Sequence, residues 1–314
     1  MKHCHFSILW NEIAFLKQKL PFLYKHFDQL IFYDLNIRSS TFSNDGGHEY
    51  IKNFPDPEKK ITLIEKTNLK DVNRYHGSGC IEKQQMFAVG SQYVKSDMDV
   101  FWCTDMDEFF KKSLIAKVEN LFNTTGYIDI LVPQLIFFKN ENYVYAIRED
   151  HCDHCKRRGR VVHQPTVGHR YQPEVGNAKL RPVRNDYIWL PWSRIMNTKV
   201  YQKGILTRVP NRIYPHCDVT KMSGEINSEV IFHFGVVGRE RVALKLEHRG
   251  DIRFLNTFDS FCQTDLDLKL KDGQVDYVGK VHGDNHHYGL KINDISLPRY
   301  IDVDQMMRDL GAPR

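Results

Sequence analysis

Val100-Phe101-Trp102-Cys103-Thr104-Asp105-Met106-Asp107-Glu108-Phe109-Phe110 runs from apolar residues into three acids within four positions and returns at once to aromatic residues. The pattern predicts a buried strand whose C-terminal end delivers carboxylates into a crevice. Asp105 and Asp107 lie two apart, so on an extended segment their side chains point the same way. Two carboxylates held together repel unless a positive charge sits between them, and a divalent cation is the usual remedy. Mg²⁺ and Mn²⁺ are typically held by one or two carboxylates together with substrate phosphates, so a phosphate-bearing ligand is expected with the cation. The competing reading is a solvated acidic turn after a core strand.

Upstream, residues 5–10 read as a first strand. Ile13, Leu16, Leu20, Leu23 and Phe27 then fall at helical spacing, with Pro21 as a kink or break. Leu30 to Tyr33 form a second strand ending at Asp34. A strand–helix–strand opening predicts a parallel sheet with polar residues where its strands end. Asn11, Glu12 and Asp34 are therefore candidates for gripping a nucleotide, although each alone suits a cap or a turn. Residues 38–57 read as a loop with a short helix at 48–53, residues 61–64 as a third strand and residues 81–94 as a helix. One crevice would then gather the nucleotide candidates and the cation candidates.

The 314 residues are 41% hydrophobic, 26% charged and 12% aromatic, with a formal net charge of +5, which is the make-up expected of a soluble globular protein. So mild a charge is no nucleic-acid signature, but it suits anionic substrates or peripheral contact with a negative surface. No stretch approaches twenty uninterrupted apolar residues, so no membrane span is expected. The first residues lack a signal-peptide layout, and seven cysteines argue against a disulfide framework, so a cytoplasmic site of action is the expectation.

Trp10-Asn11-Glu12-Ile13-Ala14-Phe15-Leu16, then Ile31-Phe32-Tyr33-Asp34, then Asp105-Met106-Asp107-Glu108-Phe109 resembles glycosyltransferases of the A-type (GT-A) fold, and most nearly their family-2-like group. Val230-Ile231-Phe232-His233-Phe234-Gly235 is similar to that group's later His-aromatic-Gly segment. The resemblance implies a single α/β domain with a mostly parallel, Rossmann-like central sheet and a mixed C-terminal extension. It divides the chain into a nucleotide-sugar half at 1–115, an acceptor-side half at 116–250, and C-terminal helices and loops at 251–314. It also implies transfer of a sugar from a UDP- or GDP-linked donor to a glycan acceptor. Asp105, Asp107 and His233 would hold Mn²⁺ or Mg²⁺, and Asn11, Glu12 and Asp34 would face the nucleotide. His233 equally suits a core histidine. Arg239, Arg241 and Lys245 suit either phosphate clamps or a solvated helix face.

In the acceptor half, a helix near 116–122, strands at 128–133 and 135–138 and a hairpin at 140–145 are expected. His151-Cys152-Asp153-His154-Cys155, with His163 and His169, suits either a structural Zn²⁺ site on Cys152 and Cys155 or a polar insertion with free thiols. Lys156 to Arg160 is basic. Tyr187, Trp189 and Trp192 suit core packing or stacking on a sugar ring. Asp218, Glu225 and Glu229 are the weak candidates for a base that deprotonates an acceptor hydroxyl. Residues 281–288 suit a histidine-rich polar turn, a lid or a late metal ligand competing with His233, and residues 302–310 a closing helix. Two other functions fit parts of the pattern. One is a nucleotidyltransferase or phosphoryl-transfer enzyme using the same acids, and the other is a zinc-stabilised module binding anionic polymers.

Overall fold

Strand β1 (His3–Leu9) is hydrogen-bonded along both edges, and six of its seven residues are buried. Helix α1 (Ile13–His26) follows and turns its Ala14, Phe15, Leu16, Leu20, Phe22 and Leu23 inward. The chain then returns as β2 (Gln29–Asp34), parallel to β1 with Leu9 opposite Asp34. After α2 (Gly47–Lys52), β3 (Ile61–Ile64) pairs parallel with β2. Strand β4 (Val100–Cys103) pairs parallel with the other edge of β1. Near-continuous apolar strands are what a parallel sheet requires, because both of its faces are covered.

The remaining elements are β5 (Glu108–Phe109), α3 (Lys112–Thr125), β6 (Tyr127–Leu131), β7 (Gln134–Ile147), β8 (Val167–Arg170), β9 (Ile195–Asn197), β10 (Ile231–Val237), β11 (Leu270–Lys271), β12 (Gln274–Val275), β13 (His287–Lys291) and α4 (Val303–Asp309). The computed structural model describes residues 1–34, 42–65, 90, 92–125, 127–132, 134–147, 167–170, 195–198, 230–238, 240–243, 270–271, 274–275, 287–291 and 296–312. The chain forms two compact units interleaved in sequence. The first takes Met1–Met106, Ile115–Leu131 and Val167–Arg212, and the second Asp107–Leu114, Val132–Thr166 and Ile213–Arg314.

The first unit carries a seven-stranded sheet in the order β3-β2-β1-β4-β9-β6-β8. Its β3-β2-β1-β4 part is entirely parallel, and β9, β6 and β8 extend it antiparallel. The second unit carries a mixed sheet in the order β13-β7-β10-β5 and the β11-β12 pair. The α/β class, the parallel Rossmann-like sheet and the mixed second part all follow the expectation from sequence.

Helix α1 runs on through Pro21, so of the two readings a break does not occur. One local reading differs. The hairpin expected at 140–145 is instead the middle of one 14-residue strand, β7. Its residues 134–139 pair with β10 and its residues 143–147 with β13, so the polar Asn140-Glu141-Asn142 marks a change of partner, not a turn. The helix read at 81–94 lies mostly outside the described residues.

In the first unit Cys4, Phe6, Ile31, Tyr33, Ile64, Met98 and Phe101 form one buried cluster. Phe6 stacks on Phe101 at 6.2 Å, and a Cβ on Gly90 would lie 2.1 Å from the Phe6 ring, so only glycine fits there. In the second unit Phe137 stacks on Phe234 at 4.4 Å, and Phe109 meets Phe234 edge-on at 5.7 Å. Among the described residues no helix is long and apolar enough to cross a membrane. Phe6→Ala, which empties the space over Gly90, is expected to lower unfolding free energy by about 3–5 kcal/mol, measured by urea titration.

Candidate functional site

The parallel strands end side by side, and their end residues are tied together. Asn11, just past β1, has φ 54°, a left-handed conformation that asparagine tolerates better than most residues. Its backbone N–H donates to Ser43 Oγ at 2.9 Å, and its Oδ1 accepts from Asn44 N at 2.9 Å. Asp34, at the end of β2, is fully buried. Its Oδ1 accepts from Ser43 N at 3.1 Å and Ser43 Oγ at 2.6 Å, and its Oδ2 lies 2.8 Å from His48 Nδ1. His48 Nε2 in turn lies 3.1 Å from Glu65 Oε1, just past β3. Ser43 thus joins two of the nucleotide candidates, Asn11 and Asp34. Glu12 is the N-cap residue of α1 and is buried. Ile13 N donates to Asp45 Oδ2 at 2.8 Å, so the protein's own carboxylate caps the start of this helix.

Ser43, Asp45 and His48 were not singled out from sequence. The Ser43-Asn44-Asp45-Gly46-Gly47 run reads as an ordinary turn, and its long-range bonds have no local signature.

At the end of β4, Thr104 Oγ1 lies 2.7 Å from His5 Nε2 and accepts from Lys19 Nζ at 2.9 Å. Lys19 Nζ also donates to the Asp105 backbone carbonyl at 2.6 Å, and Ser7 Oγ donates to the Thr104 carbonyl at 2.5 Å. His5 is wholly buried, and burial, reinforced by Lys19, holds its pKa well below the ordinary value. The Asp105 residue itself is half-buried.

Asp107 belongs to the second unit and is 1% exposed. Residues 106 and 107 form a turn before β5, so the alternation of an extended strand does not set the directions of Asp105 and Asp107. Strand β10 pairs with β5 so that His233 stands opposite Glu108, and Phe234 N donates to the Asp107 carbonyl at 2.8 Å. His233 Nε2 lies 3.5 Å from Asp107 Oδ1. Arg241 Nη2 donates to Asp107 Oδ2 at 2.5 Å, and Arg241 Nη1 donates to the Phe234 and Gly235 carbonyls at 3.2 and 3.0 Å. Arg241 is therefore not part of a solvated helix face. It is buried, and it neutralises Asp107.

A Cβ on Gly235 would lie 2.3 Å from His233 Nε2, so the glycine two residues on is what leaves room for the imidazole ring. Gly238 has φ 81°, and a Cβ there would come within 2.4 Å of the Leu310 carbonyl. The Tyr300 hydroxyl donates to the Phe110 carbonyl at 3.0 Å and accepts from Phe110 N at 3.3 Å, and burial pushes this phenol's pKa up.

Oxygen and imidazole donors 3.5 Å apart fit one cation with ligand distances of about 2.1 Å. Asp107 and His233 therefore match the donor chemistry of Mn²⁺ or Mg²⁺, with the Arg241 guanidinium competing for the same carboxylate. Among the described residues no three His, Cys, Asp or Glu side chains gather into a metal-holding group. Cys152, Cys155, His163, the basic run 156–160, Tyr187, Trp189, Trp192, Asp218, Glu225, Glu229, Arg239 and Lys245 lie outside the described residues.

Arg241→Gln leaves Asp107 buried beside no guanidinium and is expected to cost about 3–5 kcal/mol in chemical denaturation. Adding Asp107→Asn should recover part of that loss. Because His5 stays neutral when folded, its contribution to stability is full above its ordinary pKa of 6.5 and declines as pH falls below that value. The slope is at most about 1.4 kcal/mol per pH unit, and His5→Gln should flatten it in denaturation curves taken across this range.

No family model and no curated protein sequence matches this chain. Among solved structures it is similar to a 4-diphosphocytidyl-2C-methyl-D-erythritol synthase from Anaerococcus prevotii, with 10% identity, 48% of this chain and 62% of that one covered, and a TM-score of 0.28. It is also similar to residues 1–349 of TarS from S. aureus, with 12% identity, 87% and 75% covered, and a TM-score of 0.34. A longer TarS structure gives 10% identity, 83% and 43% covered, and a TM-score of 0.35. The chain thus spans under two thirds of the synthase and of the longer TarS chain. At these identities and scores the likenesses say nothing about which residues act.

Proposed function

We propose that this chain is a glycosyltransferase that moves a sugar from a UDP- or GDP-linked donor to a glycan hydroxyl with the help of Mn²⁺ or Mg²⁺. One observation carries the reading. In the parallel order β3-β2-β1-β4 the chain reverses its direction of winding at β1, so Asn11 and Glu12 after β1 and Thr104 and Asp105 after β4 flank the switch point. Crevices at such switch points, outside the carboxyl ends of the strands, are where open α/β sheets take nucleotide ligands.

The resemblance read from the sequence assigns Asp105, Asp107 and His233 to the cation, and the 3.5 Å between His233 Nε2 and Asp107 Oδ1 supports the last two. When bound, the cation would offset the negative charge that builds on the departing diphosphate. Asp34 and Asn11 would serve the nucleotide by fixing the loop at 43–48 to the ends of β1 and β2. A direct contact between Asp34 and a base would have to displace Ser43 or His48.

The test is a thermal-shift panel of nucleoside diphosphates with Mn²⁺, followed by transfer from UDP- and GDP-sugars. A base-selective shift and EDTA-sensitive transfer are expected. Asp107→Asn, checked for folding by circular dichroism, should lose about 100-fold in kcat. Transfer indifferent to EDTA and to Asp107→Asn would sink the reading. Nucleotidyl transfer from a nucleoside triphosphate, with no sugar transfer, would favour the phosphoryl-transfer alternative.

A further inference from the structure

Lys19 stands where the sequence pattern calls for an apolar residue. On α1 it follows Phe15 and Leu16 by four and three positions and precedes Leu23 by four, and all three are buried. Its own exposure is 0%. A leucine or methionine would pack there without the desolvation that an amine incurs. A side chain that breaks the apolar pattern at a buried position marks a place where something other than packing is being met.

What the amine meets is the turn leaving β4. Nζ donates to Thr104 Oγ1 at 2.9 Å and to the Asp105 carbonyl at 2.6 Å. Thr104 is gripped at its other polar atoms as well. Its N–H donates to the Phe6 carbonyl at 3.3 Å, its carbonyl accepts from Ser7 Oγ, and its hydroxyl lies against His5 Nε2. Three β1 residues and one α1 residue thus hold a single peptide step at the point where the chain departs from the sheet.

We propose that Lys19 is the positioning residue of the candidate site. Through the Asp105 carbonyl and the Thr104 hydroxyl it fixes the peptide that presents Asp105 at the switch point. The identity of what Asp105 binds rests on the function proposed above, whereas the lock itself rests only on these bonds. Lys19 touches no ligand in this role. It acts through Asp105, so its loss should weaken the binding of cation and nucleotide more than it weakens the fold.

The experiment uses the full chain and two variants. Lys19→Met keeps length and volume but removes the donor. Thr104→Val removes only one of the two acceptors. Hydrogen exchange is followed by mass spectrometry, and the affinity for Mn²⁺ with UDP or GDP by calorimetry. In Lys19→Met, the peptide spanning residues 100–107 is expected to exchange at least ten-fold faster while α1 and β2 peptides keep the parent's rates. Affinity for the Mn²⁺–nucleotide pair should fall at least ten-fold, and Thr104→Val should show a smaller change of the same kind. The proposal is overturned if residues 100–107 exchange as in the parent, or if the whole first unit loosens together. It is also overturned if the parent binds the Mn²⁺–nucleotide pair and Lys19→Met binds it equally well. A parent that binds no Mn²⁺–nucleotide pair refutes the donor assignment alone, and the exchange pattern still decides the role of Lys19.

Discussion

The first unit depends on the double pairing of β1, which is bonded to β2 along one edge and to β4 along the other, parallel in both cases. Parallel strands that share a neighbour must end on the same side, so Asn11, Asp34 and Thr104-Asp105 are brought to one edge by hydrogen-bond register alone. Their convergence needs no attraction between the side chains. Strand β1 is also buried on both faces, which explains why His3, His5 and Ser7 each bond a specific partner inside the fold.

Those inward-facing polar groups show how the two units manage charge. In the first unit, Lys19 is taken up by a hydroxyl and a main-chain carbonyl. In the second, Asp107 faces a guanidinium that is itself anchored on two carbonyls of the neighbouring strand. Breaking such a buried pair costs far more than forming it gains, because the survivor is left in a poorly solvating interior. The pair therefore fixes geometry more than it adds stability. Gly235 belongs to the same arrangement, since any side chain there would push the His233 imidazole away from Asp107.

Much of the first unit was legible in the sequence because its signals are local. The apolar runs of β1, β2 and β4 are bounded by polar residues, and the stripe through Leu16, Leu20 and Leu23 has helical spacing. Features that depend on distant partners were not legible. Lys19 sits inside that stripe, but only the position of Thr104, 85 residues later, explains it. Arg241 looked like one member of a basic run until the fold put it 134 residues back, against Asp107. Asn140-Glu141-Asn142 has turn-like composition, yet the backbone stays extended because β13 takes over the pairing where β10 leaves off. For Asn11 and Asp34 the sequence located the residues correctly at strand ends but could not show that Ser43 already joins them.

The Tyr300 phenol that brackets Phe110, and the Leu310 carbonyl pressed against Gly238, have a bearing on synthesis. Phe110, just after β5, is made 190 residues before the phenol that clasps it. Closing so long a loop carries an entropic cost that is recovered only when the far end arrives. The nascent chain must therefore carry β5 unclasped until Tyr300 has been made, and this unit completes itself only after the segment holding Tyr300 and Leu310 emerges.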